Sequence, residues 1–253
     1  MTQFKKYSLH IGLNEIDPIY YGDKYELMGC HNDALAMLKI CKRSGFIEST
    51  LILDKSATLI NIEQALNDLA VKSYLSPSIV VITYSGHGGQ VTDRNFDESD
   101  GLDETWCLYD QMLIDDDFYE LLSMFHPLTE LIIISDSCHS GSVTRLFPFL
   151  NLFNNRKQKF CPKKIRQREI SEHRRADSKE LIKAQLITLS ACQDNQVAWD
   201  NGKHGLFTEH LLKHYRQNMT YVELITKIRR DIIGSQNPRL TYKNGSIVGK
   251  RIF

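Results

Sequence analysis

Apolar residues follow two different spacings along this chain, and segments with the two spacings alternate. Short apolar runs predict strands at residues 6–13, 50–53, 79–84, 131–134 and 184–189. Apolar residues that recur every three to four positions predict helices at residues 34–44, 57–74, 117–124, 205–215 and 221–233. Strands that alternate with helices are typical of a mostly parallel sheet with helices on both faces. The pattern therefore predicts an α/β fold.

Polar residues at the ends of these segments predict caps and turns. Asp33 and Asp116 are predicted to cap the helices at 34–44 and 117–124, and Thr220 is predicted to cap the last helix. Residues 106–109 and 111–114 predict a small hairpin. The Asn244-Gly245 pair predicts a second hairpin between residues 240–242 and 246–248, because this dipeptide favours a tight turn.

Composition and charge exclude several classes of protein. The 31 basic and 31 acidic residues cancel, so no overall field favours nucleic acid or a membrane surface. No apolar run approaches the ~20 residues of a membrane-spanning helix, and the N-terminus lacks the apolar core of a signal peptide. The six scattered cysteines form no C-x-x-C pair, which predicts reduced thiols without a zinc site. We therefore expect a cytoplasmic protein without nucleic-acid or membrane partners.

A cysteine and a histidine each follow a predicted buried strand. Residues 131–134 run into S-D-S-C, which ends at Cys138, and residues 79–84 run into S-G-H-G-G, which contains His87. If these strands are neighbours, both side chains lie at one edge of the sheet. The imidazole could then take the thiol proton, and the N–H groups of Gly88 and Cys138 could form an oxyanion hole. The alternative is an ordinary buried cysteine beside a loop histidine.

Both stretches resemble the motifs of the metacaspases, which are caspase-like cysteine peptidases. S-D-S-C-H-S-G-S resembles their cysteine motif and Y-S-G-H-G-G their histidine motif, and a histidine-to-cysteine spacing of about fifty residues is a general caspase sign. Further matches are the segments at 27–37, 100–104, 190–199 and 236–240. The resemblance spans nearly the whole chain. It implies a caspase-type α/β/α sandwich around a mostly parallel six-stranded sheet, without a prodomain, as in bacterial or type I-like members.

The resemblance assigns roles to individual residues. It implies that Cys138 is the nucleophile and His87 the general base and acid. The matching positions of the S1 pocket are Cys30, Asp33, Ser85 and Asp136. Paired carboxylates suit a guanidinium or an ammonium group, so we expect cleavage of proteins or peptides after Arg or Lys. The alternatives are a plain helix cap for Asp33 and a loop residue that bonds its own backbone for Asp136.

Calcium is an activator in many metacaspases, although the chemistry itself requires no cofactor. The candidate ligands are the carboxylates of Asp100, Asp103, Asp115 and Asp116. The family often has an aspartate seven residues after the nucleophile, but this chain has Arg145, whose charge opposes a divalent ion. As an alternative, the acidic residues from Asp115 onward complement the dipole of a helix N-terminus.

The resemblance describes residues 1–253 as one peptidase domain in three parts. Residues 1–145 are the large-subunit-like part, residues 146–183 a basic linker, and residues 184–253 the small-subunit-like part. The basic segment of the linker, residues 156–175, admits three interpretations: a solvated connection, the enzyme's own cleavage site, or a site for an acidic partner or nucleic acid. The last is disfavoured by the neutral total charge and the lack of interleaved aromatic residues.

A Cys–His peptidase is the function that the sequence favours, and family members tend to be monomers. Two rivals stay open. One is a catalytically silent caspase-like scaffold or regulatory module, and the other is a caspase-like hydrolase that does not select basic residues.

Overall fold

The computed structural model describes residues 4–93, 101–138, 156–161, 178–192, 198–234 and 236–253. The strands are β1 (Lys5–Gly12), β2 (Glu48–Leu53), β3 (Ser78–Ser85), β4 (Gly88–Thr92), β5 (Leu102–Cys107), β6 (Met112–Ile114), β7 (Glu130–Asp136), β8 (Lys157–Gln158), β9 (Gln185–Ser190), β10 (Trp199–Asp200) and β11 (Arg239–Lys243). The helices are α1 (Pro18–Tyr21), α2 (Cys30–Arg43), α3 (Leu59–Leu75), α4 (Asp115–Ser123), α5 (Leu206–His214) and α6 (Tyr221–Asp231).

Six strands form the central sheet in the order β11-β9-β7-β3-β1-β2. Five of them run parallel, and β11 pairs antiparallel with β9 at one edge. The predicted α/β sandwich with a mostly parallel six-stranded sheet is therefore confirmed. Two smaller antiparallel sheets, β4-β5-β6 and β8-β10, lie outside this central sheet.

The apolar strands are buried on both faces, because side chains along a strand point alternately to opposite sides. On β7, Ile133 packs into the core beneath α3 and α4, whereas Ile132 and Ile134 pack into the core beneath α2, α5 and α6. Helices α2, α5 and α6 therefore cover one face, and α3 and α4 cover the other together with Tyr21 of α1. Among the described residues, no helix has both the length and the apolar character needed to span a membrane.

Only one of the three residues predicted to cap a helix does so. Thr220 caps α6 in a capping box with Glu223, as predicted. Asp33 is not a cap, because α2 begins earlier, at Cys30, where Asn14 Oδ1 accepts the Cys30 N–H at 2.9 Å. The predicted cap Asp116 lies inside the first turn of α4, which begins at Asp115. In α2 a side chain from a distant loop therefore supplies the cap, and Asp33 is left available for other contacts.

The predicted C-terminal hairpin is wrong. β11 forms, but residues 246–248 are not a strand. Asn244 adopts a positive φ of 57° as expected of a turn, yet its side-chain amide donates to the carbonyls of Ile182 and Ala184. These bonds hold the turn against the start of β9, and β11 pairs with β9 instead.

The carboxyl ends of β3 and β7 lie side by side, with Ser85 opposite Asp136 in the ladder. From this register the chain continues two residues to His87 on one strand and two residues to Cys138 on the other. The two predicted catalytic residues therefore lie at the same edge of the sheet, as the sequence predicts for neighbouring strands.

Candidate active site

His87 and Cys138 are both buried, and a segment from the basic linker runs past them. This segment comprises residues 157–161 and is called the linker strand below. Gln158 pairs with Trp199 of β10, and the Lys159 N–H donates to the carbonyl of Ala198 at 3.0 Å. On the other side, the Cys161 N–H donates to the carbonyl of Gly88 at 2.8 Å. The linker strand is therefore held by main-chain bonds, as in peptide recognition by strand addition.

Two backbone N–H groups point at one carbonyl of the linker strand. The Gly88 N–H donates to the Lys159 carbonyl oxygen at 2.9 Å, and the Cys138 N–H donates to the same oxygen at 3.3 Å. These are the two donors that the sequence predicts for an oxyanion hole. Their arrangement polarises the peptide bond between Lys159 and Phe160 and would stabilise negative charge on that oxygen.

The hydrogen bonds of His87 determine which nitrogen can accept a proton. Nε2 lies in hydrogen-bond contact with the carbonyl oxygen of Tyr25, so Nε2 carries the hydrogen and donates it. Nδ1 is buried and has no hydrogen-bond partner among the described residues. Burial lowers the pKa of His87 to about 4, opposed by the bond to Tyr25 and assisted by the charge of Lys159. The imidazole is therefore neutral, and Nδ1 is the ring nitrogen that is open to accept a proton.

Tyr25 is a residue that the sequence reasoning missed. Its φ of 43° lies in the left-handed region, which is uncommon for a residue with a large side chain. This backbone conformation accompanies the carbonyl contact with His87, and the two rings also meet edge to face with centroids 6.1 Å apart. Such strain is typical of functional sites. No signal in the sequence marks Tyr25, because neither glycine nor asparagine occupies the position.

The side chain of Lys159 fills a pocket lined by the predicted S1 residues. Its Nζ lies 2.9 Å from Ser85 Oγ, 3.4 Å from Asp33 Oδ2 and 3.2 Å from Asp136 Oδ1. Nζ also donates to the Asp136 carbonyl at 3.1 Å. Lys159 has no exposed surface. The fourth predicted residue, Cys30, is also fully buried, and burial raises the pKa of its thiol to about 12, which keeps the thiol neutral.

The charges in this pocket compensate one another. Burial alone would lower the pKa of Lys159, but Asp136, Cys30 and Asp33 raise it more, so the pKa lies well above its ordinary value. Lys159 is therefore an ammonium ion held between two carboxylates. A buried ion pair is tolerated only when further hydrogen bonds satisfy the charges. Thr208 supplies two of these, since its N–H and hydroxyl donate to Asp136 Oδ2 at 2.9 and 2.7 Å.

The start of α5 completes the pocket, and sequence reasoning missed its residues. His204 Nδ1 lies 2.8 Å from Asp33 Oδ1, and the Gly205 N–H donates to Asp33 Oδ2 at 3.0 Å. A Cβ atom on Gly205 would lie 2.2 Å from Asp136 Oδ2 and 2.3 Å from Lys159 Nζ. Only glycine leaves room at this position. The one feature of the sequence that could have indicated this role is the glycine at the start of the predicted helix. A glycine there is equally well explained as an ordinary helix boundary.

Asp200 supports the pocket from β10. Its side-chain Oδ2 accepts the N–H groups of Met28 and Gly29 at 2.9 and 2.8 Å, and Oδ1 accepts the N–H of Gly202 at 2.7 Å. The carboxylate thus joins the loop before α2 to the loop before α5. The first loop leads into α2, which carries Asp33, and the second loop carries His204.

Two of the candidate calcium ligands lie within a buried acidic cluster at the start of α4. Asp103 is buried, and Asp115 has an Oδ1 atom that is buried without a hydrogen-bond partner among the described residues. Burial, together with the negative charges of Glu104, Asp103 and Asp116, raises the pKa of Asp115 to about 8. Glu104 and Asp115 border a cavity of about 310 Å³ that also reaches Ser135 on β7. Asp100 and Arg145 lie outside the described residues.

One of the three interpretations of the linker was a solvated connection. This interpretation is wrong for the linker strand. Lys159 and Cys161 are buried there. Lys159 can be buried because Asp33 and Asp136 compensate its charge. The composition of the linker alone does not reveal these contacts. Most of the remaining linker lies outside the described residues.

The chain is similar to caspase-like proteins both in sequence and in structure. The caspase domain family matches residues 6–245. Metacaspase-4 of Arabidopsis thaliana is 40% identical over 148 residues, which cover 54% of this chain and 34% of that protein. Metacaspase-1 of Schizosaccharomyces pombe is 27% identical over 297 residues, which cover 94% of this chain and 67% of that protein. A crystal structure of a protein from Geobacter sulfurreducens is similar with a TM-score of 0.77 and 29% identity, over 98% of this chain and 97% of that one.

The chain matches only part of the length of several relatives. The chain spans only 34%, 39% and 35% of the lengths of metacaspases 4, 6 and 7 of Arabidopsis thaliana. The match to the family covers the strands, the helices and both predicted catalytic residues, which lie between residues 6 and 245.

Proposed function

Because this chain belongs to the caspase domain family, with metacaspases among its relatives, we propose that it is a cysteine endopeptidase that cleaves protein chains after Lys or Arg. The observation that carries this proposal is the position of Lys159. Its carbonyl oxygen accepts from Gly88 and Cys138, while its ammonium group lies between Asp33 and Asp136. One residue therefore occupies both the predicted oxyanion hole and the predicted pocket for a basic side chain.

The mechanism follows from these positions. His87 Nδ1 takes the proton of the Cys138 thiol, and the sulfur attacks the carbonyl carbon of the residue in the pocket. The N–H groups of Gly88 and Cys138 stabilise the resulting oxyanion. His87 then gives its proton to the leaving amine as the peptide bond breaks, which leaves a thioester on Cys138. Water activated by His87 hydrolyses the thioester and restores the thiol.

The preference for basic residues rests on charge and space. Two buried carboxylates that face the same point strongly disfavour a neutral or acidic side chain there, because their charges would be left uncompensated. Ser85 offers a hydroxyl to the ammonium group at 2.9 Å, and Gly205 keeps the floor of the pocket open. An aspartate side chain in this pocket would add a third negative charge.

We further propose that the enzyme cleaves its own Lys159–Phe160 bond. The linker strand lies in the cleft through main-chain bonds on both sides of this bond, to Ala198 before it and to Gly88 after it. Substrates of peptidases bind in this extended manner. The intact linker strand also blocks the pocket, so that cleavage of another protein requires the strand to leave.

Calcium is proposed as an activator of this cleavage. Asp103, Asp115 and Asp116 would hold the ion, with Glu104 adding negative charge beside them. Clustered carboxylates are the ligands that calcium prefers. Burial is the largest cause of the raised pKa of Asp115, and repulsion from Glu104, Asp103 and Asp116 adds to it; a divalent ion would relieve that repulsion. The test is the rate of self-cleavage with calcium or with EGTA. A rate unchanged by EGTA would refute this part of the proposal alone.

A second candidate function is a silent caspase-like module. The same observation supports it, because a lysine that fills the pocket without being cleaved would block the site permanently. The peptidase and the silent module would have the same structure as long as the chain is intact. They differ only in whether a peptide bond is cleaved.

An assay with fluorogenic peptides separates them. We expect the wild-type protein to hydrolyse peptides with Lys or Arg before the scissile bond and to leave matched Asp peptides intact, while Cys138→Ala is inactive on all of them. Hydrolysis of none, with calcium or with EGTA, would refute the peptidase and favour the silent module. Hydrolysis of the Asp peptides alone would refute only the proposed specificity.

A further inference from the structure

Three side chains on α5 and α6 form a cluster away from the active site. His210 and His214 lie one turn apart on α5, and Asp231 is the last residue of α6. His214 Nε2 lies 2.7 Å from Asp231 Oδ2, and His210 Nδ1 lies 3.5 Å from the same oxygen. These atoms all lie within 4.8 Å of one another. We call these three residues the α5–α6 cluster.

The cluster contains the ligand types that bind zinc. Imidazole nitrogens and carboxylate oxygens bind zinc and similar divalent transition metals, and three protein ligands leave one position for water. Ligand atoms around a tetrahedral zinc ion lie ~3.4 Å apart, and the separations of 2.7 and 3.5 Å from Asp231 Oδ2 to the two histidine nitrogens lie within about 1 Å of this spacing. The side chains can move, because 15 to 18% of each is exposed.

His210 provides an independent indication of a ligand. Its Nδ1 atom is buried and makes no hydrogen bond with any described residue, although a buried ring nitrogen normally has a partner. The rings of His210 and His214 lie roughly parallel, with centroids 6.4 Å apart. Both rings therefore present a nitrogen toward Asp231, and one of these nitrogens lacks a hydrogen bond.

Two cationic side chains already lie at Asp231 and would have to move aside for a metal. Asp231 Oδ2 lies 2.6 Å from the ammonium group of Lys213, whose side chain is 59% exposed. Arg230 approaches the other carboxylate oxygen at 4.0 Å and is 74% exposed. Both cations compete with a metal for Asp231, but exposed ion pairs are weak and exposed side chains can turn away. A metal would replace the proton shared by His214 and Asp231.

We propose that His210, His214 and Asp231 bind one divalent transition metal of the zinc class, which links α5 to α6. The sequence analysis expected no zinc site because it considered only cysteine spacing. The i, i+4 histidine pair was present, but its third ligand lies 17 residues further along the chain. The site is separate from the acidic cluster at α4, whose ligands are all oxygen atoms. Its occupation stabilises the helix whose first turn donates to Asp136.

The test uses the full chain with Cys138→Ala, which removes the reactive thiol and prevents self-cleavage. The other five cysteines are buried. After removal of metals with a chelator, Co²⁺ and Zn²⁺ are titrated separately. We expect one Co²⁺ per chain with the visible absorption of four-coordinate cobalt, and a rise in thermal midpoint with Zn²⁺. His210→Gln and His214→Gln should each weaken binding by at least ~10-fold.

Two further variants separate a metal site from an ordinary ion-pair cluster. Lys213→Met removes a competing cation and should tighten metal binding, whereas it would only remove an ion pair if no metal binds. His31→Gln is the matched control, because His31 Nε2 lies 2.7 Å from Asp54 in a histidine–aspartate pair outside the cluster. The proposal is overturned if Co²⁺ does not bind, or if neither His210→Gln nor His214→Gln weakens binding. Equal affinity in Lys213→Met would also contradict it.

Discussion

The carbonyl oxygen of Lys159 lies 2.9 Å from the backbone nitrogen of Gly88, at the edge of the sheet where His87 follows β3. Gly88 is next to the predicted general base in sequence, while Lys159 belongs to a segment more than seventy residues away. This contact brings a peptide bond of the chain itself to the predicted catalytic residues.

Replacement of Lys159 should stop self-cleavage. Lys159→Met removes the ammonium group and leaves Asp33 and Asp136 uncompensated, so that position 159 no longer directs the bond into the site. We expect the fragment that begins at Phe160 to disappear, as measured by mass spectrometry of the products. In a Cys138→Ala background, the same replacement should lower the free energy of unfolding by about 3 kcal/mol, because it breaks a buried ion pair.

Lys159→Arg is the control for this variant, since a guanidinium retains the charge. It should still be cleaved after residue 159. A Lys159→Met protein that yields the same fragment at the wild-type rate would show that another bond or another mechanism is involved.

An alanine at position 205 should close the pocket. Its Cβ would overlap Asp136 Oδ2 and Lys159 Nζ, so a basic side chain could enter only after the start of α5 moved. We expect kcat/KM for Lys and Arg peptides to fall by at least ~100-fold, since small displacements in an active site have effects of this size. Gly245→Ala serves as control, because a Cβ there meets its neighbours at an ordinary 3.5 Å. Equal losses in both variants would indicate a general effect on folding.

The imidazole of His87 should titrate far below its ordinary pKa of 6.5 in the intact chain. Burial lowers the pKa to about 4, so the unfolded state takes up the proton first as the pH falls. The contribution of His87 to stability is therefore present above pH 6.5 and is lost between pH 6.5 and 4. NMR titration of Cys138→Ala, with the His87 signal assigned by its loss in His87→Gln, measures this value. A midpoint near 6.5 would contradict it.

Asp115 should destabilise the calcium-free protein as the pH rises. Its pKa is raised to about 8 in the folded state from an ordinary 3.8, so the folded state retains a proton that the unfolded state has released. Stability therefore falls between pH 3.8 and 8, and Asp115→Asn should avoid this loss. Urea unfolding in EGTA at pH 5 and pH 8.5 should show a larger advantage of the variant at the higher pH. Asp68→Asn, at an exposed position on α3, is the control and should show no such difference.

The sequence predicts the sheet well, and it predicts that His87 and Cys138 lie at one edge of it, because both depend on short local patterns. The runs before Cys138 and His87 are apolar enough to require burial, and a parallel sheet brings their ends to one edge. Asp33 illustrates what local patterns miss. It was also a candidate cap for the helix after it, and only the distant Asn14 caps α2 and leaves Asp33 to face the pocket.

Other parts of the site depend on contacts between residues far apart in sequence. His204 and Asp33 are 171 positions apart, and no periodicity relates them. Lys159 is one of many basic residues in its segment, and only the three-dimensional arrangement distinguishes it from its neighbours. Residues 246–248 failed as a strand for a similar reason, because Asn244 bonds to the start of β9 rather than closing a hairpin.

The position of the linker strand has a consequence for kinetics. In the proposed self-cleavage, enzyme and first substrate are one molecule, so this cleavage would be a unimolecular reaction whose half-time does not change on dilution. Any outside substrate must compete with a segment present at a high effective concentration. Activity toward other proteins should therefore begin after a lag, and the length of that lag should be the same at low and at high enzyme concentration.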